Sequence, residues 1–462
     1  MTEAEFPMSF RDHPATLRRL RRCRAAALVP LFATLLLTTL VVLPNSASAG
    51  ESTNRVAAAS GTIRVASPEQ AVAAALRRSP ALGAAEAGVA ASRGNLTQAG
   101  LRPNPAFGVT AENIGGSGRY RSTAAAETTY QLAQRLEIGG QRGARVGVAR
   151  TEEALAGRDL AATRLDIVRA ARQAYTEAVA ARRVLRIATD SVRLAEEVLR
   201  VARERVSAGR EPLLQQRRAE VALSTAQIAR SRAEREAEVA RRALAVVLAA
   251  SDVDLGPSDR WFDDIGPVPA GRLPSDPAAN PDFARWREEI ARANAILGLE
   301  RRRAIPDVTV GAGLRRFGES NDTAMVLNLS VPLPVIDRNQ GNIARAGADL
   351  TRTERVAELN QRALAASLTD AGQRLDTAWR EADGLRRVVV PGAEQAFGFA
   401  REGYAAGRFS FLEVLDAQRT LLEARTQLNA ALRDVHLRRA EADRLSGGPP
   451  IPEALNPMGG RP

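Results

Sequence analysis

The sequence predicts a mainly α-helical chain with membrane-type β-strands, an internal two-fold repeat whose halves each carry a strand pair and a long coiled-coil helical hairpin. Three observations predict it. Helix formers dominate the composition and aromatics are scarce. Ala-Gly-Arg recurs at matched spacing in the two halves. Segments alternating with period two precede each long helical run.

The composition excludes several function classes. Of 462 residues 88 are alanine, all 65 basic residues are arginine, and aromatics make up 4%. That mixture suits long helices rather than a β-rich globule. Cys23 alone cannot build a disulfide framework or a thiolate cluster, and His13 and His436 are the only histidines. No resident metal site and no cofactor are therefore expected. No nucleophile–base pair or phosphate loop is present, so an enzyme is not expected either. The net charge of +12 raises nucleic-acid binding as a reading. Against it, the arginines are spread beside Glu and Asp along helical stretches, and the chain begins with an export signal.

That signal occupies residues 1–49. Arg18, Arg19, Arg21, Arg22 and Arg24 form a basic cluster, Ala25 to Leu43 is apolar and uncharged, and Pro44 breaks the run. Ala47-Ser48-Ala49 then supplies the small residues of a signal-peptidase site, with cleavage expected after Ala49. A spanning helix is the competing reading, disfavoured by the Ala-x-Ala site. No later stretch is apolar enough for a transmembrane helix. The mature chain is thus expected in the periplasm, outside the cell or in an outer membrane.

The rest repeats. Ala208-Gly209-Arg210 recurs as Ala406-Gly407-Arg408, and Leu214, Ala219, Leu223 and Ala226 match Leu412, Ala417, Leu421 and Ala424 at the same offset of 198 residues. Gly143 to Gly209 and Gly341 to Gly407 both span 66 residues. Between them lie helix formers with apolar residues at helical intervals, such as Leu185, Val192, Leu199 and Val206, or Leu368, Leu375, Trp379 and Leu385. A helix of that length reaches ~100 Å, too long for a compact globule. Pro391 should kink the second one. Gly209 and Gly407 should reverse the chain, with return helices near Leu213–Leu248 and Leu412–Leu445. The alanine excess lets such helices approach closely.

The strand pairs fall near 104–138 and 306–333. Phe107, Val109 and Ala111 alternate with Gly108, Thr110 and Glu112; Tyr130, Leu132 and Leu136 alternate less cleanly with Gln131, Ala133 and Arg135. In the second half Val308, Val310, Ala312 and Leu314 share one face, as do Met325, Leu327, Leu329 and Val331. Gly115–Gly118 and Gly318–Asp322 read as hairpin loops. Such alternation also fits a half-buried strand of a soluble sheet. Length near ten residues, the export signal and the shortage of other packing surface favour membrane strands, with Val308, Val310, Leu314, Met325, Leu327, Leu329 and Val331 toward lipid. Four strands cannot close a barrel, and an open edge in lipid is not viable, so several chains would have to share one.

At this point the sequence resembles the TolC-like outer membrane efflux family, and within it the heavy-metal (CzcC-like) branch. Four segments carry the resemblance: Leu101-Arg102-Pro103-Asn104-Pro105; Leu136-Glu137-Ile138-Gly139-Gly140-Gln141-Arg142; Val331 to Gly341 (VPLPVIDRNQG); and Tyr404 to Ser410 running into Glu413–Gln418. Each is weak alone; their order and spacing cover nearly all of residues 67–446. The resemblance implies a homotrimer with a 12-stranded outer-membrane β-barrel and a tapering periplasmic tunnel of 12 long helices. It implies a periplasmic adaptor (a membrane fusion protein) docking at tips formed by Gly209, Arg210, Gly407 and Arg408, and an RND-type inner-membrane pump behind it. The cargo would be whatever that pump delivers, divalent heavy-metal cations being the branch's association.

The family's entrance gate places acidic residues six and nine positions after the second tip glycine, here Glu413 and Asp416. The first-repeat equivalents are Gln215 and Arg218, so an acidic ring would come from the second hairpin alone. Glu stands at one gate position where Asp is common. Glu413 and Asp416 also suit an ordinary helix N-terminus, where carboxylates favour the positive end of the dipole. Arg210 and Arg408 could meet the adaptor or cap the preceding helix's carbonyls.

The remaining segments are read as a linker at 50–66, repeats at 67–250 and 282–446, a proline-rich equatorial region at 251–281 and a disordered tail at 447–462. His436 reads as structural. Two other functions fit the export signal and long helices, a periplasmic adaptor and a secreted coiled-coil structural protein. The first would need a single hairpin amid β-domains, and the second would not need the strand pairs.

Overall fold

The computed structural model describes residues 61–257, 259–266 and 280–448. The signal segment with Ala47 and Ala49, the prolines between 267 and 279 and the tail beyond 448 lie outside the described residues. In chain order the elements are β1 (Thr62–Val65), α1 (Pro68–Arg78), α2 (Pro80–Ala99), β2 (Ala106–Glu112), β3 (Glu127–Leu136), α3 (Gln141–Ser207), α4 (Leu213–Val247), β4 (Asp252–Leu255), α5 (Arg260–Asp263), α6 (Pro281–Arg303), β5 (Val308–Phe317), β6 (Thr323–Ser330), α7 (Gln340–Gly384), α8 (Val390–Ala405) and α9 (Phe411–Leu445).

The two long runs form as their lack of breakers demands. No proline interrupts α3, which continues for 67 residues, ~100 Å at ~1.5 Å per residue. Its counterpart is α7 and α8 joined by one π-helical turn, Leu385–Val389, immediately before Pro391. The proline ring lacks an N–H and would collide with the carbonyl four residues back; the wider turn accommodates the defect without ending the helix. Pro391 therefore acts through a local change of helix pitch.

Packing along the hairpins explains the alanines. On α4, Ala219, Ala226 and Ala233 recur every seven residues and are buried, facing α3, where Ala171, Ala178 and Ala202 are buried too. A strict seven-residue repeat is the coiled-coil signature, and small side chains at the seam bring the backbones close. The arginines lie on the flanks. Arg93–Glu153 links α2 to α3 at 3.1 Å, Arg285–Asp159 links α6 to α3 at 3.0 Å, and Arg425–Glu394 links α9 to α8 at 2.7 Å. These pairs are partly exposed and individually worth little. They register neighbouring helices, while other arginines pair within their own helix, as Arg200 does with Glu204 and Arg419 with Glu423.

The four long strands form one antiparallel sheet in the order β2-β3-β5-β6. Its register places Val109 opposite Tyr130, Tyr130 opposite Leu314, and Leu314 opposite Met325. Phe107, Leu132, Val310, Ala312, Leu327 and Leu329 share that face. The opposite face carries Glu112, Glu127, Thr129, Gln131, Thr309, Arg315 and Asn328. Among the described residues the outer edges of β2 and β6 have no partner strand. Val331 falls one residue beyond β6, so it follows the strand rather than belonging to it.

The structure adds a second sheet where the sequence reads as linker. β1 and β4 pair in parallel, Val65 against Leu255 and Ile63 against Val253. Each is four residues long, too short to stand out as alternation, and pairing joins segments 190 positions apart. Val65 and Val253 are each 1% exposed and enter the main core with Tyr175, Phe262 and Leu432.

Candidate functional site

The long helices end in the same closure in both repeats. At the first, the amide of Gly209 bonds the Val206 carbonyl at 3.0 Å and the amide of Arg210 bonds the Arg205 carbonyl at 2.9 Å. At the second, Gly407 bonds Tyr404 at 2.9 Å and Arg408 bonds Gly403 at 2.7 Å. This is the Schellman closure, and it needs the left-handed backbone that Gly209 (φ 67°) and Gly407 (φ 75°) supply. Arg210 and Arg408 thus satisfy the last carbonyls through their backbone amides. Their side chains are exposed and make no hydrogen bond among the described residues, so side-chain capping is not their role.

The two tips lie against each other. Arg205 donates from Nη1 to the Tyr404 carbonyl at 2.9 Å, and its guanidinium stands 4.7 Å from the centre of the Tyr404 ring. Glu211 accompanies it, with Oε1 3.5 Å from Arg205 Nε. Burial and then the Glu211 charge push the Tyr404 phenol up, so the ring stays neutral. Phe411 packs on the ring at 5.7 Å between centres and is 1% exposed. The sequence offered no local signal for Arg205, Glu211 and Tyr404, because the contact closes over 199 residues.

Glu413 and Asp416 are both exposed on the first turns of α9. They differ in what they are free to do. The Glu413 carboxylate accepts from the Ser410 amide at 2.5 Å while the Ser410 hydroxyl accepts from the Glu413 amide at 3.4 Å. That reciprocal capping box occupies the carboxylate. The Ser410 amide, then the Ser410 side chain, hold it below the ordinary carboxylate range. Ser410-Phe-Leu-Glu413 is itself the sequence signature of such a box. Asp416, one turn on, makes no such bond. In the first repeat Gln215 is partly buried and Arg218 exposed.

Of the strand residues read as facing lipid, Val310, Leu314, Met325, Leu327 and Leu329 are on one face and between 44% and 76% exposed, Val308 is half-buried at the helix end of β5, and Val331 is 41% exposed beyond β6. An isolated sheet face of this kind requires an apolar medium or a partner. Below the sheet, Arg145 pairs with Glu137, and Gln141 donates to the Ile305 carbonyl at 2.7 Å and to Asp307 at 3.1 Å. These bonds fasten the strand ends onto α3.

Midway along the hairpins, residues 259–266 are clasped from both repeats. Arg183 reaches Asp263 at 2.8 Å from α3; His436 bonds the Phe262 carbonyl at 3.0 Å, and Arg439 the Ile265 carbonyl, from α9. Trp379 donates to the Gly266 carbonyl at 2.6 Å, and Arg386 of the π-turn to the Asp263 carbonyl at 3.0 Å. Burial lowers the His436 pKa, leaving a neutral imidazole in the aromatic cluster with Trp261. His436 is structural.

Strand pair, long hairpin and glycine-turned tip thus occur twice around one belt, and the model for "Outer membrane efflux protein" matches the chain twice, over residues 71–250 and 277–448. The chain belongs to the outer membrane efflux protein family. This outer membrane efflux protein is 31% identical over 369 residues to the cobalt-zinc-cadmium resistance protein CzcC of Cupriavidus metallidurans, covering 79% of the chain and 86% of CzcC. It is 29% identical over 319 residues to the nickel-cobalt-cadmium resistance protein NccC of Alcaligenes xylosoxydans, covering 68% and 67%. Its fold matches the crystal structure of CusC with a TM-score of 0.70 at 19% identity over 83% of this chain and 92% of that one. The outer membrane protein VceC of Vibrio cholerae matches at 0.67 and 19% identity, over 82% and 96%. The efflux protein resides in the outer membrane.

Proposed function

We propose that three copies of this chain form one exit duct, with the apolar sheet face in lipid, the polar face around a shared lumen and the helical hairpins as a periplasmic tunnel. The observation that carries it is the β2-β3-β5-β6 sheet. It has one apolar exposed face, one polar face and two edges without partners among the described residues. In a bilayer such edges must pair with the edges of other copies. A second surface agrees. Leu214, Val221 and Ile228 stand exposed at seven-residue spacing on α4, opposite the alanine seam, as do Val239 and Val246. That row suits a neighbouring helix.

The cargo reading rests on the named relatives. Cobalt, zinc, cadmium and nickel resistance are the functions for which CzcC and NccC are named, and the duct is assigned divalent heavy-metal cations delivered by an inner-membrane RND-type pump through a periplasmic adaptor. The exposure of Arg210 and Arg408 beside Leu213, Phe409 and Leu412 supports the tips as the adaptor's docking place.

The experiment is fractionation with unheated gel electrophoresis, followed by metal tolerance. An outer-membrane, heat-labile trimer whose deletion lowers cobalt, zinc or cadmium tolerance is expected. A soluble monomer would remove the duct; a trimer without a metal phenotype would remove only the cargo.

A further inference from the structure

On the polar face of the β2-β3-β5-β6 sheet, at the end remote from the helices, Glu112 and Glu127 are register partners across β2 and β3. Like charges in directly opposed positions repel, and two facing carboxylates offer hard oxygen ligands to a divalent cation. Here the space between them is already taken. Arg315 of β5 directs each guanidinium nitrogen to a different group. Nε donates to Thr129 Oγ1 at 2.9 Å, Nη1 donates to Glu127 Oε2 at 3.1 Å, and Nη2 lies 3.2 Å from Glu112 Oε2. The other Glu127 oxygen accepts from Asn113 Nδ2 at 3.2 Å. One side chain therefore ties three adjacent strands. The other arginine of this face, Arg135, sits at the helix end and has its own partner, Asp307, at 3.6 Å.

The cluster is open to the polar side: the side chains of Arg315, Glu127 and Glu112 are 32%, 26% and 48% exposed. Arginine suits the position, since it stays charged and its planar fork reaches several oxygens at once, which a lysine cannot do.

We propose that Arg315 is a selectivity-determining residue of the duct: a built-in counter-cation that occupies the Glu112–Glu127 pair and prevents it from capturing the divalent cations being exported. The proposal rests on the reading that the polar face lines a shared lumen. A passage conducts only if its cargo binds weakly enough to leave. One guanidinium against two carboxylates leaves each copy with a single net negative charge at this level. That favours cations without presenting an unoccupied carboxylate pair. Removal of Arg315 turns the same level into a trap.

The test is planar-bilayer recording of the purified full chain in a KCl gradient, followed by addition of zinc chloride. The proteins compared are wild type, Arg315→Met, and Arg315→Met combined with Glu112→Gln and Glu127→Gln. Arg315→Met should move the reversal potential toward that of potassium. It should also lose conductance severalfold at zinc concentrations that leave the wild type unchanged, with recovery in EDTA. The triple variant should lose both effects. Arg315→Met channels with wild-type reversal potential and zinc sensitivity overturn the proposal. If Arg315→Met does not assemble, Glu112→Gln/Glu127→Gln with Arg315 retained decides: a shift toward the chloride potential supports it, and no shift overturns it. Absence of any wild-type conductance would instead count against the duct.

Discussion

Arg205 and Tyr404 join the two hairpin tips: the guanidinium donates to the Tyr404 carbonyl at 2.9 Å and lies over the phenol ring at 4.7 Å. That carbonyl already accepts from the Gly407 amide at 2.9 Å, so Arg205 supplies its second hydrogen bond and ties the first hairpin to the turn of the second. Arg205→Ala should cost about 1–2 kcal/mol locally, through the lost cation–π contact and hydrogen bond. Faster amide exchange across Glu402–Gly407 with unchanged exchange in the belt is the expected reading. Uniform exchange would mean that the tips are not joined through this residue.

Gly209 faces open space, and at Gly407 an added methyl group makes only an ordinary contact, 4.0 Å from Arg205 Nη1. The cost of Gly209→Ala or Gly407→Ala is then backbone strain alone, about 1–2 kcal/mol for a left-handed alanine. Gly403→Ala differs, because its new carbon would sit 2.2 Å from the Phe409 ring. Thermal melts should show Gly403→Ala displacing Phe409 and losing at least as much as either tip variant. Equal stability of all three with wild type would contradict the turn geometry.

The two acidic residues of α9 should separate in conductance. Glu413 is bound into the capping box and Asp416 is not. Asp416→Asn should therefore lower cation preference in bilayers more than Glu413→Gln. The latter should instead weaken the start of α9. The depressed Glu413 carboxyl stabilises that helix end above the ordinary carboxylate range, and the contribution disappears as pH falls through its folded value. Unchanged selectivity in the double variant would take both residues out of the gate.

His436 predicts a second pH effect with its own window. Burial lowers its folded pKa, so the unfolded chain takes up the proton first. Its contribution is complete above about pH 6.5 and declines as pH falls below that value. Melting at pH 5.5 should lie below melting at pH 7.5. His436→Phe should flatten that difference while costing about 1–3 kcal/mol, because the Phe262 carbonyl loses its donor. A pH dependence that survives the substitution would assign it elsewhere.

The two sheet faces can be told apart directly. Leu327→Arg should disfavour assembly by about 2–4 kcal/mol if that face meets lipid. Asn328→Arg, one residue on and facing the other way, should still give the heat-labile trimer on unheated gels. The opposite order would invert the sheet.

Much of this fold was legible in the sequence because its signals are local and repeated. Hairpin length follows from the 66-residue intervals between glycines, and strand faces from the alternation of Val310, Leu314, Met325 and Leu327. Pro391 marked a disturbed turn, but that the disturbance takes the form of a π-turn over Leu385–Val389 depends on what packs around it. The β1–β4 sheet was illegible because four-residue strands carry little pattern.

By itself the sequence determined a duplicated strand-and-hairpin chain, since periodicity and turn chemistry act between residues a few positions apart. Tertiary structure alone decided that Arg205 meets Tyr404, that Arg315 bridges Glu112 and Glu127, and that both repeats clasp residues 259–266. Those contacts are made by charged groups whose partners lie on other elements, and a guanidinium's choice among many carboxylates and carbonyls is settled only when packing brings one within 3 Å.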